Sequence, residues 1–247
     1  MSANLPAASA HAYLDELGRY LEAAYRRNAE VIELVAERAA DSVRQGGIVH
    51  VFGCGHSQLV ALEVCDRAGG LASLRAIADP ALAPTQGARA TLTERLPGYG
   101  NVVLESEDLR PGEVLVVVSN SGINAAPIEV AAGAVERGLV VVAVTSREHS
   151  DAVTSRHPSG VRLHEVAEVT LDTGVPAGDA SVQLADGTGV GPLSTIVASA
   201  LLHAVFTAAS ARLADAGEEV PVLRSQNLDG PEDPNAAVLA RYADRRR

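Results

Sequence analysis

Two short segments carry residues able to hold a small anion: Gly53-Cys54-Gly55-His56-Ser57 and Ser119-Asn120-Ser121-Gly122-Ile123-Asn124. Each follows a β-branched apolar run, Ile48–Phe52 and Val114–Val118, and each opens an amphipathic stretch. Glycine lets the backbone close around a ligand, serine hydroxyls add donors, and a helix N-terminus favours negative charge. Two such loops in one chain can grip one phosphate from two sides. A phosphorylated small molecule is therefore expected, with Gly55, Ser57, Ser119, Asn120 and Ser121 around its phosphate. Helix capping would account for one serine per helix. It does not account for Ser-Asn-Ser-Gly directly after a buried strand. Asn124 either caps the second helix or joins the ligand contacts. Gly53-x-Gly55 also begins a dinucleotide fingerprint, but its third glycine would fall at Gln58, and the Gly-Lys-Ser/Thr of a triphosphate-binding loop is missing.

Both loops need a scaffold that presents strand ends beside helix starts. Residues Ala10 to about Gln45 recur at the helical period through Leu14, Leu17, Leu21, Ala24 and Val31, with a break expected near Tyr25–Asn28. Strand Ile48–Phe52, helix Ser57–Ala68 and a weaker strand Ala72–Ala78 follow. Asp79–Gly100 is irregular around a short helix at Ala90–Leu96. Alternation then returns with strand Val114–Val118, helix Ala125–Arg137, strand Leu139–Thr145 and a short strand at Val169–Asp172. Gly174–Val190 reads as loop, Pro192–Ala214 as a buried helix, and a short helix starts at Ala236. Such alternation predicts an α/β fold with a doubly wound parallel sheet, whose ligands sit outside the carboxyl ends of the strands. A single domain over residues 1–247 is expected, with an N-terminal helical dimerisation segment (1–45), an α/β core (46–215) and a C-terminal tail (216–247).

Composition narrows the function. Apolar residues make up 47% of the 247, yet aromatics are 3% and Trp is absent, so Ala, Val, Leu and Ile must build the core. A net charge of −11 argues against nucleic acid as the main partner. Arg245-Arg246-Arg247 reads as a solvated tail. No basic n-region precedes an apolar h-region, and no apolar run approaches the ~18 residues of a span, so a cytoplasmic protein without membrane contact is expected. Cys54 and Cys65 read as separate buried thiols, and the seven histidines lack tight metal spacing. Neither a metal nor an organic cofactor is expected.

The chain resembles the sugar isomerase (SIS) domain family through VFGCGHS (Val51–Ser57), VVVSNSGIN (Val116–Asn124) and the pair Ser194-Thr195. It is most similar to stand-alone bacterial members, through LEVCDRAGGLA (Leu62–Ala72), LDTGVPAGDA (Leu171–Ala180) and GPLST (Gly191–Thr195). The resemblance implies a flavodoxin-like sheet, a sugar 6-phosphate ligand and a homodimer or homotetramer. It further implies removal of the C2 proton beside the C1 carbonyl of the open-chain sugar. Return of the proton at C1 isomerises; loss of a C3 substituent eliminates. Non-catalytic sensors of sugar phosphates also belong to the family.

The base must be a carboxylate or imidazole within reach of C2. Glu63 lies roughly 9 Å up the helix from Ser57, at ~1.5 Å per residue, about the span from a sugar's phosphate to its reactive end. Alternatively it forms an i,i+4 ion pair with Arg67. Glu94, in the irregular segment, is the second carboxylate candidate, and Glu129 is expected to face solvent. His56, inside the first loop, is placed to open the sugar ring or polarise O1. His203, on the apolar late helix, is either a core residue or a partner in catalysis. Thr195, together with Asp172 and Asp179 beside the last strand, is a further candidate for binding substrate.

Overall fold

A computed structural model describes residues 5–228 and 233–245. Helix α1 (Ala10–Arg44) starts at Ser9, whose hydroxyl accepts from the Ala12 N–H at 3.0 Å. It continues through Tyr25–Asn28 without the expected break. Asn28, at the end of that stretch, is buried. Its Nδ2 donates to Ala24 O and Asp172 O (2.7 and 2.8 Å), and its Oδ1 accepts from Asp172 N (2.8 Å).

The sheet is formed by β1 (Val49–Gly53), β2 (Leu74–Ile77), β3 (Val114–Val118), β4 (Val140–Thr145) and β5 (Val169–Asp172). Its order is β2-β1-β3-β4-β5 and every pairing is parallel, the doubly wound arrangement expected. Because β1 and β3 lie side by side while their connections leave in opposite directions, a crevice opens at their carboxyl ends. Helices α1, α2 (His56–Val64) and α8 (Ser194–Asp215) cover one face. On the other lie α4 (Tyr99–Glu105), α5 (Ala125–Glu136) and α7 (Leu163–Val166), with α3 (Ala88–Glu94) packed beside α4 and α5. Helix α6 (Arg147–Asp151) follows β4 and α9 (Ala236–Ala240) lies near the C-terminus. The central strands β1, β3 and β4 are rich in valine and almost wholly buried, as a parallel sheet between helix layers requires, while the edge strands β2 and β5 are partly exposed.

Four expectations need correction. Helix α2 stops at Val64, not Ala68: Cys65 leaves the helix in extended backbone (φ −100°, ψ 155°), and farther on Gly69 and Ala72 donate to the Leu223 and Pro221 carbonyls (2.8 and 2.7 Å). The segment read as loop contains a hairpin, β6 (Val182–Gln183) with β7 (Gly189–Val190), and Gln183 also bonds to Pro6 and Ala8 of the N-terminus. Helix α8 is, by length and composition alone, apolar enough to cross a membrane; here its apolar side chains pack against α1 and α2. Finally, Arg245 is 9% exposed rather than frayed, and bonds to Asp108 and Glu113 at the amino end of β3. Arg246 and Arg247 lie outside the described residues.

Candidate functional site

The turn from β1 into α2 depends on two glycines for different reasons. A Cβ at Gly53 would collide with the Ser57 carbonyl, and Gly55 adopts φ +55° as it opens α2. Together they set Ser57 in the first turn of that helix. Beyond β3, the Ser119 hydroxyl accepts from Gly122 N at 3.2 Å, closing the second loop on itself. The Asn120 carbonyl accepts from Ser146 N (2.9 Å) and Thr145 Oγ1 (3.2 Å), and its Oδ1 accepts from Thr173 Oγ1 (3.0 Å). The amide Nδ2 is the group Asn120 has left for a ligand.

Between these loops and α8 lies a small, shallow concavity whose interior is about 10 Å³. Its polar rim is Ser57, Asn120, Thr173, Ser194 and Thr195; Val60, Val118, Val144 and Ala198 form the apolar floor. The N-termini of α2 and α8 converge there; at α8 the Leu193 and Ser194 N–H groups already donate to the Asp179 carboxylate, so the free partial positive charge is that of α2. Among the described residues, no cationic side chain lines it. An anion is therefore met by hydroxyls, an amide and a helix end, which suits a phosphate group. Of the residues expected around phosphate, the concavity gathers Ser57, Asn120 and Thr195. Gly55, Ser119 and Ser121 shape the loops without lining it. Thr173 and Ser194 are additions; the signal for Thr173 was its place directly after the last strand.

About two turns farther along α2 and α8 stand Glu63 and His203, with Arg67 just beyond the end of α2. His203 Nε2 lies 3.6 Å from Glu63 Oε1, and Arg67 pairs with the same carboxylate. The side chains of Glu63 and His203 are 49% and 42% exposed. Burial, then the nearby Arg67 charge, hold the His203 pKa below its ordinary value, which favours the neutral imidazole. Both readings of Glu63 thus coexist: it is paired with Arg67, and it stands beside an imidazole on the helices that border the concavity.

Glu94 belongs to a separate cluster on the α5 side of the sheet. Burial raises its pKa, opposed by a hydrogen bond from Asn124 and by the charges of Arg95 and Arg156. Asn124, which precedes α5, is buried and accepts from Arg156 at 3.0 Å, so it contacts this cluster and is not among the residues of the concavity. Arg156 was not anticipated from the sequence. Cys54 is buried nearby, its thiol pushed well up by burial and then by the Glu94 and Asp79 charges. Glu129 is buried, not solvent-facing: its carboxylate accepts from Gly98 N (2.6 Å) and Gly100 N (2.8 Å), anchoring the start of α4.

His56 is exposed at the start of α2. Asp172 does not line the concavity; its carboxylate accepts from Arg147 N and Gly174 N, both at 3.0 Å, and lies 3.4 Å from Arg27. Its role here is to tie the end of β5 to α1. Asp179 holds the N-terminus of α8. Among the described residues, no three His, Cys, Asp or Glu side chains are grouped to hold a metal ion.

A family profile described as SIS domain matches residues 12–146. A UPF0309 protein of Streptomyces coelicolor is 41% identical over 239 residues, covering 92% of this chain and 95% of its own length. Another, of Halalkalibacterium halodurans, is 36% identical over 235 residues and covers 94% of each. Among solved structures, a phosphoheptose isomerase from Neisseria gonorrhoeae superposes with a TM-score of 0.58 at 20% identity, over 81% of this chain and 96% of that one. This last similarity is one of fold.

Proposed function

The chain belongs to the SIS domain family, and on that premise we propose that it is an enzyme that takes a sugar 6-phosphate and removes its C2 proton. The observation that carries the reading is the convergence of two helix N-termini on a rim of hydroxyls and one amide, with Glu63 and His203 farther along the same two helices. Phosphate in the concavity would aim the sugar along α2 and α8. Glu63 then acts as the base at C2, and neutral His203 moves a proton between the ring oxygen or O1 and solvent. Arg67 steadies the carboxylate. Glu94, His56 and Asn124 contribute only if the sugar extends toward the α5 side.

The preferred outcome is elimination from an N-acylated hexosamine 6-phosphate. An N-acyl group at C2 blocks the ordinary aldose–ketose endpoint, which leaves expulsion of the C3 substituent. Aldose–ketose isomerisation is the alternative, and the name of the Neisseria neighbour favours it. A homodimer or homotetramer fits the exposed apolar residues Leu14, Tyr25 and Leu34 on α1 and Leu59 and Leu62 on α2.

Proton NMR in D₂O with a panel of hexose and N-acetylhexosamine 6-phosphates tests the reading. Loss of the C2 signal, with or without a vinyl product, is expected from the native chain and not from Glu63→Gln. Binding with every C2 proton retained would make the protein a sensor and overturn the catalytic assignment.

A further inference from the structure

Beside the concavity, a carboxylate already occupies part of the α8 N-terminus. Asp179 Oδ1 accepts from Leu193 N (2.9 Å) and Ser194 N (2.8 Å), and its Oδ2 accepts from Ser194 Oγ at 2.6 Å. The carboxylate is held rigidly. Asp179 sits at φ +52°, a conformation Asp tolerates, and Ser181 Oγ donates to Gly191 O (2.8 Å) while Tyr13 of α1 donates to Pro192 O (2.9 Å).

An ionised carboxylate has no proton to give, so the hydrogen between it and Ser194 comes from serine. Ser194, which lines the concavity, therefore has only lone pairs to offer a ligand. A phosphate dianion also presents only acceptors, and would stand beside a fixed negative charge. A phosphate ester that keeps one proton has a P–OH donor to match Ser194 Oγ, and one less negative charge. We propose that Asp179 makes Ser194 an acceptor and thereby selects the singly protonated form of the phosphate ester. The proposal rests on the concavity being the phosphate site, and assigns Asp179 as a specificity-determining residue of that site.

Other titratable groups need separating from this effect. His149 of α6 interacts with Asp179 and with Arg156, and His56 opens α2 next to Ser57. Protonation of His149 would favour any anion in acid. A sulfate ester distinguishes the two causes, because it carries one negative charge and no proton at every pH used.

The test is calorimetric titration of the full chain with N-acetylglucosaminitol 6-phosphate and the matching 6-sulfate at pH 5.5 and 8.0. These alditols lack the C1 carbonyl and are inert to proton abstraction. With a second phosphate pKa of about 6, the protonated fraction falls by a factor of tens between the two conditions. The phosphate ester is expected to bind tens of times more tightly at pH 5.5 than at 8.0, the sulfate ester to change only a few-fold. In Asp179→Asn the amide still accepts the backbone N–H groups and donates to Ser194 Oγ, freeing the serine proton for the ligand. Affinity for the phosphate ester at pH 8.0 then rises, and its pH ratio falls to that of the sulfate ester. Ser194→Ala removes the acceptor while leaving the backbone bonds to Asp179, and abolishes the ratio independently. Equal ratios for the two esters in the native chain, tighter binding at pH 8.0, or an unchanged ratio in both variants would overturn the selection. Absence of phosphate-ester binding at either pH would instead overturn the phosphate site itself, and the selection with it.

Discussion

Replacing Glu113 by Gln tests the charge network at the end of the sheet away from the concavity. Glu113 is 3% exposed and His50 wholly buried. The Glu113 carboxylate accepts from Ile48 N (2.9 Å), Arg110 N (3.0 Å) and Arg245 (2.8 Å to Oε1), with His50 Nε2 at 3.0 Å. Burial alone would raise its pKa; the hydrogen bonds from His50, Arg245 and the two backbone N–H groups outweigh that and bring it from 4.5 to about 2. Because the folded value lies below the unfolded one, the stabilisation is complete above pH 4.5 and is lost as pH falls toward 2. At about 1.4 kcal/mol per pKa unit, this drop amounts to ~3 kcal/mol at pH 7. Gln keeps the shape but presents one acceptor and one donor where two guanidinium contacts need acceptors, so Arg245 is left with Asp108 as its only carboxylate partner.

Urea unfolding followed by far-ultraviolet circular dichroism measures the difference. The variant is expected to be less stable by ~3 kcal/mol at pH 7, and the gap to shrink to ~2 kcal/mol at pH 3.5 as the unfolded state gains protons that the folded carboxylate refuses. Equal stability at pH 7, or a gap that does not narrow in acid, would refute the reasoning.

Two further predictions separate residues of the concavity from residues that shape it. Ser57→Ala should weaken phosphate-ester binding about ten-fold or more, the worth of one charge-assisted hydrogen bond, with little change in urea midpoint. Ser119→Ala does the reverse: Gly122 N loses its buried acceptor, which costs ~1–3 kcal/mol of stability, and affinity for the ester changes less than in Ser57→Ala. On the other side of the sheet, Asn124→Ala removes a hydrogen bond that lowers the Glu94 pKa. The Glu94 carboxylate, followed by its ¹³C shift, should then titrate at higher pH than in the native chain; an unchanged or lower midpoint would show that Asn124 does not hold it.

What the sequence revealed and what it hid follow one physical division. Gly53 and Gly55 were legible because the local backbone demands them, and β-branched runs such as Val114–Val118 announce buried strands by themselves. The stop of α2 at Val64 was not: the chain turns extended at Cys65, four residues before the Gly69-Gly70 signal, and goes on to bond with Pro221 and Leu223, far along the chain. The continuity of α1 past Asn28 was hidden because that residue's partner is Asp172, and Arg245 looked like a frayed end because its partners are Asp108 and Glu113. Ser194 was visible as a hydroxyl at a helix start; that its proton is committed to Asp179 was not. Local demands are written in neighbouring residues, whereas polar pairing is decided by the topology that brings distant segments together.

The same topology keeps the chain's two charge systems apart. At the amino end of β3, Glu113 is surrounded by donors and titrates at about 2. At the carboxyl ends, the concavity has, among the described residues, no cationic lining and a carboxylate beside it, and the ligand's own proton, with a pKa of about 6, becomes the variable. Between pH 5.5 and 8.0 Glu113 stays fully ionised in both folded and unfolded chains, so its contribution to stability is constant across the range in which the phosphate ester changes charge. A change in ester affinity in that window that the sulfate ester does not share cannot come from the Glu113 network. It reports on Ser194 and Asp179.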